Sequence, residues 1–515
     1  MNPAPDQPGP AVTLSSAPGR WVVLACVLGS GVAGIDATVV NIALPDIGHS
    51  LDVRFAALQW TVTAYSLTLA SLILLGGSLG DRLGRRRIFV VGVIWFAVAS
   101  ALCSLAPGIG WLVAARALQG VGGALLTPAS LAIIQSSFAE VDRAKAIGTW
   151  SAWSGTAAAL APFVGGWLLA IGSWRWIFVI NLPLAAVIVV LAVRHVPETR
   201  DETAHGRLDL LGAALGVIAL GGITAGTIAA ADHTLASPIV WGPLAIGVAG
   251  AIGFVVAERS VANPMLPMSM FASRQFSATN AVTFLLYGAM GGALLLLVVA
   301  LQTVTGFSPL LAGTALLPIT VMMLAFAGRF GALSGRFGPR LFIGFGPMVS
   351  ALGLVLLTFL STDSGYWTAV LPAMAVFGLG AAIFVAPLTS TVLAAAPASH
   401  AGLASGVNNA VARAAGLIAV AALPTIAGLS GDAYESAAGY LPPFRTALWI
   451  CVGLQVAAGV LALCTVRNEH ARSKPNAVGC RSVGLAGDQV APAGDGTRPH
   501  GTHRDGTQAD RVPRG

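Results

Sequence analysis

Fourteen runs of apolar residues constrain this chain more than any other feature, because each is close to the ~20 residues that carry an α-helix across ~30 Å of hydrocarbon. They cover residues 21–44, 58–79, 88–105, 111–134, 146–170, 176–193, 209–231, 239–257, 277–301, 309–327, 341–361, 367–393, 403–429 and 446–466. Lipid offers no hydrogen bonds to an exposed backbone, so segments of this length are expected as helices. Charged residues make up 10% of the chain, against roughly 25% in soluble domains, and the mean hydropathy is +0.81. The expectation is an all-α polytopic membrane protein.

The few cations decide the orientation. With the N-terminus placed in the cytoplasm, loops on that side hold seventeen Lys and Arg up to Ser473, whereas the opposite loops hold three, at Arg54, Arg175 and Arg445. Such a bias predicts both termini inside for an even number of spans. It also accounts for the net charge of +7 without nucleic acid, since the cations are spread over short loops and a tail.

The densest basic turn, Gly77-Ser-Leu-Gly-Asp81-Arg82-Leu-Gly84-Arg85-Arg86-Arg87, follows the second span. A weaker copy, Gly331-Ala-Leu-Ser-Gly335-Arg336-Phe-Gly338-Pro-Arg340, follows the tenth at a constant offset of 254. The chain therefore reads as two related six-helix halves, 21–193 and 276–466, separated by two inserted helices with their flanking loops at 194–275. Paired halves facing each other across a central site are a common build of secondary transporters. Residues 1–20 and 467–515 lack apolar periodicity and are expected to be disordered cytoplasmic tails. Four of the five cysteines lie in apolar runs without CxxC spacing, so they read as small hydrophobes and not as metal ligands.

Asp36 is the one acidic residue deep within a predicted span, where a carboxylate costs at least ~2.5 kcal/mol and marks a functional candidate. Arg116 is its natural partner. At ~1.5 Å per residue both fall roughly 8–12 Å below the same membrane boundary, on the first and fourth spans. The competing readings are a structural aspartate satisfied by a neighbour and an arginine that snorkels to the headgroups. Arg413, near the middle of the thirteenth span, has no acidic neighbour in sequence and reads equally as a substrate contact or a structural cation. Neither lysine, Lys145 or Lys474, ends a GxxxxGK pattern, which argues against ATP hydrolysis. All eight histidines lie in loops or tails, and no metal, cofactor or nucleophile constellation stands out.

The basic turn resembles the signature between helices 2 and 3 of the major facilitator superfamily, and the fourteen-helix layout resembles its drug:proton antiporter branch. Asp36-Ala-Thr-Val-Val-Asn41-Ile-Ala-Leu-Pro45 is similar to that branch's helix 1 motif. Arg116-Ala-Leu-Gln119-Gly120-Val-Gly122-Gly123 is similar to its helix 4 motif, and Trp174-Arg-Trp-Ile-Phe-Val-Ile-Asn181-Leu-Pro183 to the opening of helix 6. Helix 5 carries Gly155, Pro162, Gly165 and Gly166 in a stretch like the exporters' antiporter motif, with Ala161 where that motif has glycine. The resemblance implies proton coupling through Asp36 and Arg116, and a conformational latch at Gly77, Asp81, Arg82, Gly84, Arg85 and Arg86. The candidates for the substrate pathway are Asn41, Gln59, Tyr65, Gln119, Tyr287 and Arg413.

The expected function is a proton-coupled efflux antiporter of the cytoplasmic membrane that exports a small organic drug, antibiotic or toxic metabolite. Its expected partners are the substrate, protons and the lipid bilayer, with no cofactor, ATP or nucleic acid. The rival reading is a proton-coupled uptake symporter on the same fold, and a non-transporting receptor stands behind it.

Overall fold

A computed structural model describes residues 13–468 apart from 54, 139, 201–207, 235, 262–263, 396–400, 430–432 and 434–435. Side chains at 55–56, 140–141, 143–144, 151–152, 154–160, 162, 171 and 401–402 are also outside the description, as are the two tails beyond these limits. The long helices are α1 (Ala17–Leu51), α2 (Phe55–Leu83), α3 (Arg85–Ser104), α4 (Ile109–Ser137), α5 (Glu140–Ile171), α6 (Trp176–His195), α7 (Leu210–Ala229) and α8 (Pro238–Ser260). They continue as α9 (Arg274–Thr303), α10 (Pro309–Phe337), α11 (Pro339–Leu357), α12 (Tyr366–Ala394), α13 (Ala401–Ile426) and α14 (Ala437–Thr465). Among the described residues, 13 of these are long and apolar enough to cross a membrane. The one long helix outside these 13 is α5, whose 32 residues exceed the span length as well.

Helix ends depart furthest from the apolar limits at two places. The helix α10 runs ten residues past 327 to Phe337, and α14 starts nine residues before 446 at Ala437. In both cases the apolar run stops at a cation, Arg329 or Arg445, while the backbone continues helical. A hydropathy limit marks where lipid contact ends, whereas the helix ends where its hydrogen bonds do.

The two halves share one wiring. The helix α1 packs on α5 as α9 packs on α13, α2 and α3 pack on α4 as α10 and α11 pack on α12, and α3 meets α6 as α11 meets α14. The repeat offset of 254 persists inside the helices. A Cβ on Gly92 would lie 2.8 Å from Leu126 N on α4, and one on Gly346, 254 residues later, would lie 2.8 Å from Phe384 Cβ on α12. Conversely, a Cβ on Gly122 would meet Phe96 N at 2.7 Å, and one on Gly380 would meet the backbone of Ser350, again 254 residues beyond Phe96. Small residues here bring the helix axes close, which is how helices associate in lipid without a hydrophobic driving force.

The basic turns match as well. Gly84 and Gly338, each N-terminal to its helix, take φ of 110° and 89°, a region that favours glycine. The backbone N–H of Arg86 donates to Glu198 Oε1 at 3.1 Å, and that of Arg340 donates to Asn468 Oδ1 at 3.0 Å. Each turn is thus clamped by the segment that follows the last helix of its own half. In the first half the clamp is charged, since Glu198 also lies 3.6 Å from Arg86 and 3.7 Å from Arg87.

The halves meet chiefly at the end of the bundle away from the basic turns. There Gln59 Nε2 of α2 donates to Val420 O of α13 at 2.9 Å, and Gln302 Nε2 of α9 donates to Ile42 O of α1 at 3.1 Å. Gly166 near the end of α5 abuts the backbone of Leu310 at the start of α10. A cavity of about 360 Å³ opens beside these contacts, lined by Asp46, His49, Gln302 and Phe307 among others. The inserted hairpin α7–α8 leans on the interface, with Thr425 Oγ1 of α13 donating to Thr227 O of α7 at 3.1 Å.

Large side chains at Gly122 or Gly380 force apart helices whose backbones touch. Gly122→Leu and Gly380→Leu are each expected to cost ~3 kcal/mol or more, seen as loss of the monodisperse peak and a lowered melting temperature in detergent. Gly148→Leu, where a Cβ meets nothing within 4 Å, is the control expected to behave as the parent.

Candidate functional site: a buried carboxylate and guanidinium in the first half

Five helices bring polar side chains to one point inside the first half. Asp36 comes from α1, and Arg116 and Gln119 from α4, three residues apart and so on one face. Ser100 and Cys103 come from α3 with the same spacing, Tyr65 from α2, and Asn181 from α6. The helix α6 breaks after Val179 and resumes at Asn181, which turns that amide towards the cluster.

Every contact to the carboxylate is a donor. Arg116 Nη1 donates to Asp36 Oδ2 at 2.5 Å, while Gln119 Nε2 and Asn181 Nδ2 donate to Oδ1 at 2.8 and 3.1 Å. The guanidinium is equally committed. Its Nη1 also donates to Gln119 Oε1 at 2.5 Å, and its Nε donates to the Thr61 carbonyl at 3.0 Å. The Tyr65 ring covers its face at 4.4 Å and the Phe178 ring stands 5.8 Å away. Gln119 links the parts, since its Nε2 also donates to Ser100 Oγ at 2.7 Å and its Oε1 accepts weakly from Cys103 Sγ at 3.7 Å. The side chains of Arg116 and Asp36 are 1% and 0% exposed. Snorkelling of Arg116 to a headgroup is therefore ruled out in this arrangement.

The carboxylate accepts from three donors, so a proton arriving on it must displace one of them or turn the Asn181 amide, whose Oδ1 has no hydrogen-bond partner. Displacing the guanidinium means giving up the ion pair. The arrangement can exchange one positive charge, a proton, for another, the guanidinium, at a single buried position.

The other sequence candidates fall into three places. Gln119 belongs to the cluster and is fully buried, and Tyr65 is buried with its hydroxyl donating to Ala33 O at 3.2 Å. Gln59 is buried at the contact between halves described above. Asn41 has a buried Oδ1 without a hydrogen-bond partner, as does Arg413 at Nε, and Tyr287 is half-buried. At the basic turn Asp81 forms an ion pair with Arg85 at 2.8 Å within its own half. A Cβ on Gly77 would meet Pro128 of α4 at 3.6 Å. A Cβ on Gly165 would meet Val39 of α1 at 2.8 Å, which explains a small residue at that position. Gly155 and Pro162 lie outside the residues described in detail.

Ser100, Asn181 and Glu198 are functional-cluster or clamp residues that the sequence reading did not assign. Asn181 carried a signal, as the polar residue inside the Trp174–Pro183 motif, and Glu198 follows the sixth span beside Pro197. Ser100 is one of many small polar residues in apolar runs and nothing local distinguishes it.

A two-half helical bundle with a desolvated ion pair at its centre defines a polytopic membrane transporter. The family model described as Major Facilitator Superfamily matches residues 26–420 and 281–483, and the chain belongs to that family. The chain is similar to the puromycin resistance protein of Streptomyces alboniger, at 36% identity over 459 residues that cover 87% of this chain and 90% of the relative. It is 33% identical over 427 residues to the methylenomycin A resistance protein of Bacillus subtilis, covering 82% and 91% of the two chains. A tetracenomycin C resistance and export protein of Streptomyces glaucescens matches at 33% over 413 residues, covering 80% and 77%. Among solved structures, a POT family transporter in complex with 5-aminolevulinic acid aligns with a TM-score of 0.67 at 14% identity over 90% of this chain and all of that one. That likeness carries the fold.

Removing one partner of a buried ion pair leaves an uncompensated charge at a cost of ~3–5 kcal/mol. Arg116→Met is therefore expected to lower the melting temperature in detergent sharply, and Asp36→Asn with Arg116→Met to recover part of the loss. Additive losses in that double-mutant cycle would show that the two side chains do not act as a pair.

Proposed function

We propose that this protein is a proton-coupled efflux antiporter that exports a small organic drug or antibiotic by alternating access of its two halves. The observation that carries the reading is the Asp36–Arg116 pair, sealed from solvent and held by donors alone. The relatives, resistance and export proteins, support the direction of transport. They favour export over the rival symporter on the same fold.

In the proposed topology the basic turns face the cytoplasm, with both termini, in the cytoplasmic membrane. Contacts between halves at the far end then correspond to a form closed to the outside. A proton arriving at Asp36 removes the attraction that holds Arg116, worth about 4 kcal/mol at ~4 Å for an effective dielectric near 20. Arg116 is anchored to Thr61 of α2 as well, so its release bears on α2, the helix that faces α13 across the interface. A proton thus loosens the first half from within, and its departure restores the pair. Gly165 and Gly166 contribute by letting α5 lie against α1 and α10.

Asp81 acts in this scheme as a latch that pairs with Arg85 in the present form and is released to the opposite half in the other. The charged Glu198 clamp fixes the turn while Asp81 changes partner. Asp81→Asn is expected to slow turnover at least several-fold while binding of the transported drug to detergent-purified protein stays near parental. Equal loss in both would remove Asp81 from the conformational step.

The test of the whole reading is drug flux in proteoliposomes under an imposed pH gradient, over a panel of acidic, uncharged and basic aromatic antibiotics, supported by sensitivity of a pump-deficient host to the same panel. Asp36→Asn, reconstituted at protein amounts matched to the parent, is expected to lose gradient-driven flux altogether. Full proton-driven flux in that variant, or accumulation of substrate along with protons in the parent, would refute the antiporter.

A further inference from the structure

Arg413 is the second intramembrane arginine, and its surroundings contrast with those of Arg116. The residues Gly406, Arg413 and Val420 of α13 are seven apart, so they lie within ~20° of one another per step on one face. Both ends of that stripe touch α2. A Cβ on Gly406 would lie 3.3 Å from Leu74, and Val420 O accepts from Gln59. The middle of the stripe therefore faces the middle of α2, at the level of Tyr65, in the interface between the halves. Tyr65 of the first half and Tyr287 of the second are within electrostatic range of the Arg413 guanidinium.

No counter-charge is provided. None of the helices α9 to α14 contains Asp or Glu, and Asp36 is already bound to Arg116, Gln119 and Asn181. The Arg413 Nε is buried and has no hydrogen-bond partner among the described residues. The Tyr65 hydroxyl donates to Ala33 O and makes no hydrogen bond to Arg413 among the described residues. Below Arg413 on the same helix, Asn408 is fully engaged by α9, donating to Asn280 at 3.2 Å and to Thr283 at 2.8 Å, so the polar positions that hold α13 in place do not include Arg413. Arg413 as a whole is half-buried, and an unpaired guanidinium within a membrane span is costly and is normally satisfied. With Asp36 and Arg116 cancelling, this one cation sets the charge of the interface.

We propose that Arg413 is the recognition group for an acidic oxygen, a carboxylate or phenolate, on an aromatic substrate bound between α2 and α13. The fork of guanidinium N–H groups matches two oxygens of such a group or one oxygen of a phenolate, and charge assistance strengthens both. Tyr65, whose ring covers Arg116 at 4.4 Å, lies on α2 at the level of Arg413, so an acid bound there is close to the Asp36–Arg116 pair. A cationic substrate meets an uncompensated like charge at the same point. This inference deepens the efflux reading by naming a substrate class, and it rests on that reading only in taking the α2–α13 interface as the pathway.

The test uses two xanthene dyes of similar size and opposite charge, fluorescein and rhodamine 123, with binding followed by fluorescence anisotropy on detergent-purified full-length protein. No gradient is present, so failure of proton coupling does not affect the readout. The parent is expected to bind fluorescein at least tenfold more tightly than rhodamine 123. Arg413→Gln is expected to weaken fluorescein binding by about tenfold to a hundredfold, the loss of one charge-assisted interaction, without weakening rhodamine 123. Arg413→Lys, which keeps the charge but not the fork, is expected to fall between. Its melting temperature, together with the dye preference of the unmutated protein, keeps the outcome independent of any folding defect in the glutamine variant. Preference for rhodamine 123, absence of fluorescein binding to the parent, or an unchanged fluorescein affinity in Arg413→Gln would each overturn the proposal.

Discussion

A carboxylate and a guanidinium cannot enter hydrocarbon separately, and much of the first half is arranged so that Asp36 and Arg116 enter together. Their mutual attraction offsets only part of the desolvation of two ions, and the remainder is met by named donors and acceptors on α4 itself and on three further helices. Gln119 supplies both a donor to Asp36 and an acceptor to Arg116, Asn181 adds a second amide, and the Thr61 carbonyl takes the guanidinium Nε. Each of these fixes a helix relative to α1 and α4. The pair is thus weak as a source of stability and strong as a specification of geometry, because few relative placements of five helices satisfy all its atoms at once.

The same dependence links chemistry to motion. The guanidinium is covered by Tyr65 and tied to Thr61, both on α2, and α2 is the helix that meets α13 of the other half. A change of charge at Asp36 in the proposed cycle therefore reaches the interface through one side chain, over a distance of a few ångströms. The second half has the same helix wiring but no such pair, and holds a single unmatched arginine at the interface instead. Duplication supplied the scaffold twice, and the two copies carry different charges.

The basic turns show the same division between shared geometry and separate chemistry. Gly84 and Gly338 adopt positive φ and each places an arginine N–H, two residues on, against a side chain from beyond the half's last helix. In one copy that side chain is Glu198 and in the other Asn468. The turn itself is a backbone requirement and survives in both. The ion pairs are present where Asp81 and Glu198 are present, and this leaves one half with an electrostatic clamp and the other with a neutral one.

The sequence by itself determined the helix number, the division into two halves with an inserted pair, and the identity of the intramembrane charges. These are legible because lipid imposes a length and a polarity on every span, and because a fixed offset of 254 ties one half to the other. It also allowed Asp36 and Arg116 to be paired, since depth in a membrane is counted along the chain and two unlike charges at one depth attract. Helix faces were not legible. The sequence grouped Gln59, Tyr65 and Gln119 as pathway residues, whereas in the folded chain Gln119 and Tyr65 enclose the ion pair and Gln59 bridges the halves. Asn181 became a partner of Asp36, and Ser100 a partner of Gln119 and Asn181, only through contacts among α1, α3, α4 and α6, over separations of up to 145 residues. Burial in lipid is read off composition one residue at a time, but which polar groups satisfy one another depends on how helices rotate about their axes. That rotation is set by packing between segments far apart in the chain, and only the tertiary structure decided it.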